Sequence, residues 1–263
     1  MIETAKKLTQ METPAKILEL VKPQLATPFD VSALPQPSYN CEICKDLERV
    51  YTREESLGRV YEIPKACVCR LEKIRREKLS IIPEKFQAAT LETLQPNTGK
   101  HPNQAKIVSV VKANPRASFF LAGGFGTDKT YMMWALYRDA VLNDRRTVIA
   151  SLTELLNEFK AFIQTSSDGT EKKYPRISAD ELRQNHTKYS IFLDDVDKAR
   201  PTEYTAEQLF QLADAIYAYG HQIVVTTNLS VEKLTEHFNR ADERYGGAII
   251  RRLVESGFIC EMF

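Results

Sequence analysis

Four features of the chain combine residue types and spacings that chemistry can use. They are a glycine-rich turn followed by a lysine, two aspartates closing an apolar run, two close pairs of cysteines, and arginines near the carboxyl end. The first is the stretch SFFLAGGFGTDKT from Ser118 to Thr130, an apolar strand running into a turn and then a helix. A phosphate cradle needs this order: glycines let successive N–H groups converge on phosphate oxygens, and the helix N-terminus adds its positive end. A lysine then reaches the β/γ-phosphates and a hydroxyl ligates magnesium. Gly123, Lys129 and Thr130 meet the pattern G-x-x-x-x-G-K-[ST], with Gly124, Phe125, Gly126 and Thr127 completing the turn, but Asp128 stands where the last glycine belongs. A carboxylate ~5 Å from one phosphate charge opposes it by roughly 3 kcal/mol at an effective dielectric of 20. Weakened nucleotide binding is therefore expected. The competing reading is a plain turn in which Asp128 caps the helix.

The second feature, YSIFLDD from Tyr189 to Asp195, is an apolar strand ending in two carboxylates. Ligands of an open parallel sheet sit at the carboxyl ends of its strands, so this pair is expected to face the phosphate loop. Asp194 would orient magnesium and Asp195 would position the attacking water. The strand QIVVTTN ends in Asn228 at the same edge, where an amide can bond a γ-phosphate oxygen and the lytic water. Its plainer role is an Asx turn or a helix cap, although Ser230 is the better cap. Arg244, Arg251 and Arg252 lie just before the last strand. An arginine given to a neighbouring subunit stabilises charge on a transferred phosphoryl. Neighbouring helix residues point ~100° apart, so Arg251 and Arg252 cannot serve one site together.

The cysteines Cys41-x2-Cys44 and Cys67-x-Cys69 flank a charged stretch poor in core-forming residues. A tetrahedral four-thiolate zinc site would supply the folding free energy that apolar burial cannot. The second pair is tighter than the usual gap. Buried pairs without metal, or a redox role, are the alternatives. Cys260 falls in the last strand and reads as packing.

These groups need a scaffold. Apolar strands at 118–123, 147–151, 189–195, 222–228 and 257–262 alternate with helical stretches near 129–142, 152–163, 205–219, 230–238 and 246–255. That alternation predicts an α/β domain with a parallel sheet flanked by helices. The domain is expected over residues 79–263, preceded by a cysteine-rich zinc module at 39–78 that ends in a short basic helix, and by a helical arm and proline-dotted linker at 1–38. The chain has 263 residues, 43% of them hydrophobic, with 36 basic against 35 acidic side chains. Nucleic-acid contact would therefore need a local patch. Candidates are Arg70, Lys73, Arg75 and Arg76 behind the cysteines, and Lys172, Lys173 and Arg183 in the region before the acidic strand. No apolar run approaches the ~20 residues of a membrane span and the start has no signal-peptide core, so a cytoplasmic protein is expected. In that reducing setting the five cysteines are poor disulfide material.

Taken together and in order, CEIC…CVC, IPEKFQAATLETL, GGFGTDKT, IFLDDVDKARPTEYTAEQLFQL, IVVTTNLSVEKL and GGAIIRRLVE resemble the DnaC/DnaI/IstB group of AAA+ ATPases. Within that group the resemblance is to bacterial and phage replicative helicase loaders, over roughly residues 40–263. The resemblance implies a P-loop AAA+ core without a helical lid domain after Phe263. It implies ATP hydrolysis with ATP/ADP, Mg2+ and Zn2+ as cofactors, and side-by-side homo-oligomers of the ATPase domain on single-stranded DNA. It also implies an N-terminal region that grips a hexameric replicative helicase. On it, Arg252 aligns with the arginine finger, Asn228 with the first sensor, Asp194 and Asp195 with the acidic pair, and the segment around Phe86 lies near the adenine. The implied function is ATP-dependent loading of a replicative helicase onto single-stranded DNA during replication initiation. Two rivals are an IstB-like transposition ATPase and an adaptor made nucleotide-blind by Asp128, which breaks the family pattern as well.

Overall fold

The computed structural model describes residues 39–96, 101–167, 174–185, 187–255 and 257–263. The expected arm and linker at 1–38, and Lys172 and Lys173, lie outside them. The chain divides into two compact units, one ending at Cys67 and one running from Val68 to Phe263.

In the first unit, β1 (Arg49–Ser56) and β2 (Arg59–Ala66) form an antiparallel hairpin that pairs Ser56 with Arg59 and Arg49 with Ala66. The two loop residues, Leu57 and Gly58, have φ of 52° and 71°. Positive φ at both positions is the primed turn whose twist matches the strands. Neither strand buries a residue, so the hairpin lacks an apolar core of its own, and two strands alone are marginal in water.

The second unit opens with α1 (Val68–Ser80), the basic helix expected there, and continues through α2 (Gln104–Ala113) to the sheet. Five strands follow: β3 (Ser118–Gly123), β4 (Arg146–Ser151), β5 (Tyr189–Asp194), β6 (Gln222–Thr227) and β7 (Gly257–Met262). They pair in the order β4-β5-β6-β3-β7, every pair parallel. The crossovers are α3 (Lys129–Leu142), α4 (Leu152–Ser167) with α5 (Ala179–Gln184), α6 (Glu203–Tyr219), and α7 (Val231–Asn239) with α8 (Glu243–Glu255).

Successive strand residues face opposite sides, and the core divides accordingly. Phe120, Ala122, Ile191, Leu193, Ile223 and Val225 pack with side chains of α4 to α8. Phe119, Leu121, Phe192, Val224, Cys260 and Met262 pack with α2, α3 and the segment from Ile82 to Leu94. Burial on both faces is why these strands read as continuous apolar runs. Side-chain caps fix the helix starts. Thr202 accepts from the Thr205 amide at α6, and Ser230 from the Lys233 amide at α7. The left-handed Gly220 ends α6 and turns the chain toward β6. Among the described residues no helix is long and apolar enough to cross a membrane.

Candidate functional site

Strand order decides what can meet at the carboxyl edge. Because β6 lies between β3 and β5, the glycine-rich turn after β3, the aspartates ending β5 and Asn228 after β6 share one rim. Thr130, the second residue of α3, donates its hydroxyl to Asp194 Oδ1 at 3.3 Å. A hydroxyl and a carboxylate at this separation are the donor pair a magnesium ion takes on a triphosphate site.

The turn is wound tightly around its lysine. Lys129 is buried, and its Nζ donates to the carbonyls of Gly123 and Gly124 at 2.8 Å each and to Thr127 Oγ1 at 3.3 Å. Burial lowers its pKa, and the carboxylates of Asp195, Asp197, Asp194 and Asp128 pull the other way. Gly126 and Asp128 both take left-handed backbone, with φ of 74° and 61°. Asp128 therefore adopts the conformation for which the motif selects glycine. Left-handed backbone costs an L-residue about 1–2 kcal/mol, and aspartate visits it more readily than most. The capping alternative fails: Asp128 makes no side-chain cap to α3. Its Oδ2 instead accepts from Gln104 Nε2 at 3.4 Å.

Asp194 is half-buried and accepts hydrogen bonds from the hydroxyls of Thr130 and Thr226. Burial raises its pKa above the ordinary carboxylate range and the charge of Asp195 adds to that, while the two hydroxyls oppose both. Asp195 sits in left-handed backbone, its N–H donating to Thr226 Oγ1 at 2.9 Å, and it forms an ion pair with Lys198. Asn228 is fixed by a residue that its sequence position does not announce. The Asp197 carboxylate accepts from the Asn228 backbone N–H at 2.9 Å and from its Nδ2 at 3.1 Å. Burial would raise the Asp197 pKa, but these bonds and those from Thr227 outweigh it and hold the group low. Asp197 thus leaves the amide oxygen and one amide hydrogen of Asn228 for a ligand. Ser230, not Asn228, caps α7.

A cavity of about 350 Å³ joins these groups, lined by Lys85, Phe86, the turn from Phe125 to Tyr131, Asp195, Lys198 and Asn228. Phe86, the residue placed beside an adenine by resemblance, borders it and stacks on Trp134 with ring centroids 6.2 Å apart. Its segment is stapled from α3: Tyr131 Oη donates to the Ala88 carbonyl at 3.0 Å, and Arg138 donates to the carbonyls of Ala89 and Gln87 at 2.8 and 2.6 Å. These staples, Asp197, Lys198 and Gln104 were not picked out from sequence. The two extra acidic and basic groups of DDVDK were the available signal.

The arginines stand apart from this rim. Arg252, on α8, donates to Asp214 Oδ1 of α6 at 2.6 Å, and its guanidinium lies 4.7 Å from the Phe210 ring centroid. Arg251 pairs with Glu255 and Arg244 with Asp242, so the two adjacent arginines do diverge. Of the candidate DNA contacts, Arg75 is committed to Asp144 through two bonds of 2.9 Å, and Arg183 sits on α5 paired with Asp180. Arg70, Lys73 and Arg76 are exposed on α1.

The thiols of Cys41, Cys44, Cys67 and Cys69 all lie within 4.8 Å of one another and none is in a disulfide. The Sγ atoms of Cys41 and Cys67 are 3.8 Å apart. A tetrahedron of zinc–sulfur bonds ~2.3 Å long has edges of ~3.8 Å, so the residues present fit a four-thiolate metal ion. Cys260 is outside the group, in the core, where burial pushes its thiol up to about 11.

Comparison with known proteins places the fold and the family. The model of the family described as IstB-like ATP binding protein matches residues 82–262. The chromosomal replication initiator protein DnaA of Gloeobacter violaceus is 28% identical over 134 residues, which is 50% of this chain and 28% of that protein. DnaA of Gloeothece citriformis is 24% identical over 224 residues, 75% of this chain and 45% of that protein. The chain thus spans less than half the length of these relatives. Among solved structures, DnaI superposes with a TM-score of 0.54 at 16% identity, covering 70% of this chain and 95% of that one. The DnaC helicase loader superposes with a TM-score of 0.52 at 15% identity, covering 69% and 100%. At such identities the likeness speaks for the fold alone.

Proposed function

The chain belongs to the family of IstB-like ATP-binding proteins, and from that premise we propose that it is an ATPase that loads a replicative DNA helicase onto single-stranded DNA. Its core is an AAA+ fold like that of DnaI and DnaC, and the match to the IstB-like ATP-binding family supports the nucleotide part of the reading. The observation that carries the ATPase reading is the 3.3 Å approach of Thr130 to Asp194, beside the cavity that Thr130 and Lys129 line.

In this reading the N–H groups from Gly124 to Thr130 take the phosphates, and Lys129 leaves its carbonyl partners for the β/γ oxygens. Magnesium, when bound, would neutralise phosphate charge through Thr130 and Asp194. Asp195 releases Lys198 to position the water, and Asn228, held by Asp197, bonds the γ-phosphate and that water. Arg252 acts on the nucleotide of a neighbouring copy, which makes hydrolysis depend on assembly. Residues 39–78 form a zinc module, residues 79–263 the ATPase domain, and residues 1–38 a helicase-binding arm. The cysteine cluster favours a loader over a transposition ATPase. Co-purification decides between them: a hexameric replicative helicase retained by the full chain, and loaded on single-stranded DNA in the presence of ATP, supports the loader. Retention of a transposase and no helicase overturns it.

Asp128, bordering the cavity in the glycine conformation, gives a second reading its footing: an adaptor that binds a partner without turning over ATP. Titrating ATP against the chain and its Asp128→Gly variant separates the two. Micromolar magnesium-dependent binding by the unaltered chain removes the adaptor, and binding restricted to the variant establishes it.

A further inference from the structure

We propose that Gln104 is what allows this chain to carry an aspartate in its phosphate loop, by holding the Asp128 carboxylate against the start of α2 and away from a bound triphosphate. The assignment rests on the nucleotide reading above.

Gln104 is the first residue of α2 and is fully buried, with 0% of its surface exposed. Its side-chain nitrogen donates to two consecutive residues of the loop, to the Thr127 carbonyl at 3.2 Å and to Asp128 Oδ2 at 3.4 Å. Its carbonyl oxygen is buried with no partner. An orphaned buried acceptor is unfavourable, and an apolar residue of like size would avoid it. The amide is therefore not explained by packing. What it contributes is two donors aimed at the one place where the loop departs from its pattern.

Asp128 needs such a partner. Its backbone has φ of 61° and its side chain gives no cap to its own helix. Lys129 does not take it either, since that ammonium is bonded to the Gly123 and Gly124 carbonyls and the Thr127 hydroxyl. Among the described residues the hydrogen-bond partner of the Asp128 carboxylate is Gln104. A bond from a buried amide to an ionised carboxylate is stronger than one between neutral groups. Asp128 also borders the cavity, so on the nucleotide reading a carboxylate released from Gln104 would be free to turn toward the phosphates. Repulsion grows as the separation shrinks. Gln104 thus acts as a positioning residue through Asp128, and its effect on nucleotide binding exists only while residue 128 is charged.

That conditional effect is the test. Binding of a fluorescent ATP analogue with magnesium is measured on the full chain, on Gln104→Leu, on Asp128→Gly and on the double variant, with thermal unfolding as a check on each fold. Gln104→Leu is expected to weaken binding about tenfold in the presence of Asp128, and less than twofold in the Asp128→Gly background. Gln104→Met serves if the leucine variant does not fold. An equal loss in both backgrounds overturns the assignment, because Gln104 would then act through the Thr127 backbone alone. No loss in the unaltered background overturns it too. Absence of binding in every protein, Asp128→Gly included, sinks the nucleotide reading and this assignment together, whereas additive losses with measurable binding sink only the latter.

Discussion

Charges of the rim are held by neighbours within the chain, and this is the main result at the scale of residues. Lys129 rests on loop carbonyls, Asp195 on Lys198, Asn228 on Asp197 and Asp194 on two hydroxyls. Glycine-to-lysine spacing and the aspartate pair were legible in sequence because each lies within one continuous turn or strand end. The partners were not: Asp197 meets Asn228 across 31 positions and Gln104 meets Asp128 across 24, the first pair joined by the sheet order and the second by the packing of α2 on the sheet. Asp194 gives a test with a definite sign. Its folded-state pKa is raised by burial, so ionisation disfavours the folded form above that pKa and has no effect below the unfolded value near 4. Asp194→Asn is expected to raise the melting temperature at pH 7 in chelator, with the gain disappearing as pH falls below about 4. A gain that persists at pH 3 contradicts the cause given.

Elements were legible where burial is two-sided. The runs SFFLAG and QIVVTT are buried at every position, and so stood out as strands. The hairpin at 49–66 buries nothing, and its charged alternation carries no apolar face to read. α2 was missed as well, being a short helix between prolines 102 and 115. If four thiolates on a metal hold the hairpin, removing the metal should undo it. Hydrogen exchange is expected to show amides of 49–66 losing protection on chelation while those of β3 and β6 keep theirs. Unchanged hairpin protection would place its stability elsewhere. The helix that carries Arg252 offers a sharper test. A Cβ on Gly246 would come within 2.1 Å of Asn239 Oδ1 and 2.5 Å of the Thr235 carbonyl, whereas one on Gly247 meets nothing within 4 Å. Gly246→Ala should destabilise the chain by about 1–3 kcal/mol in urea. Gly247→Ala should stabilise it by about 0.5–1 kcal/mol, the helix-propensity gain.

For the whole molecule, the question is whether one copy suffices. Arg252 lies with Asp214 and Phe210, not on the rim that holds Thr130 and Asp194. A role for it in hydrolysis therefore calls for a second copy. Arg252→Ala is expected to lower DNA-stimulated turnover by about 10³-fold with nucleotide affinity nearly unchanged. Mixing it with an Asp195→Asn chain should then give more activity than the two alone, because each supplies what the other lacks. A mixture no more active than its parts would remove the trans role.

All of this stands on a triphosphate held between the loop and the β5 carboxylates, and calorimetric titration of ATP into the chain, with and without magnesium, tests it most directly. The expected result is magnesium-dependent binding with one nucleotide per chain, weakened about 100-fold by Lys129→Ala. Binding that ignores both magnesium and Lys129 would contradict a triphosphate site at this rim.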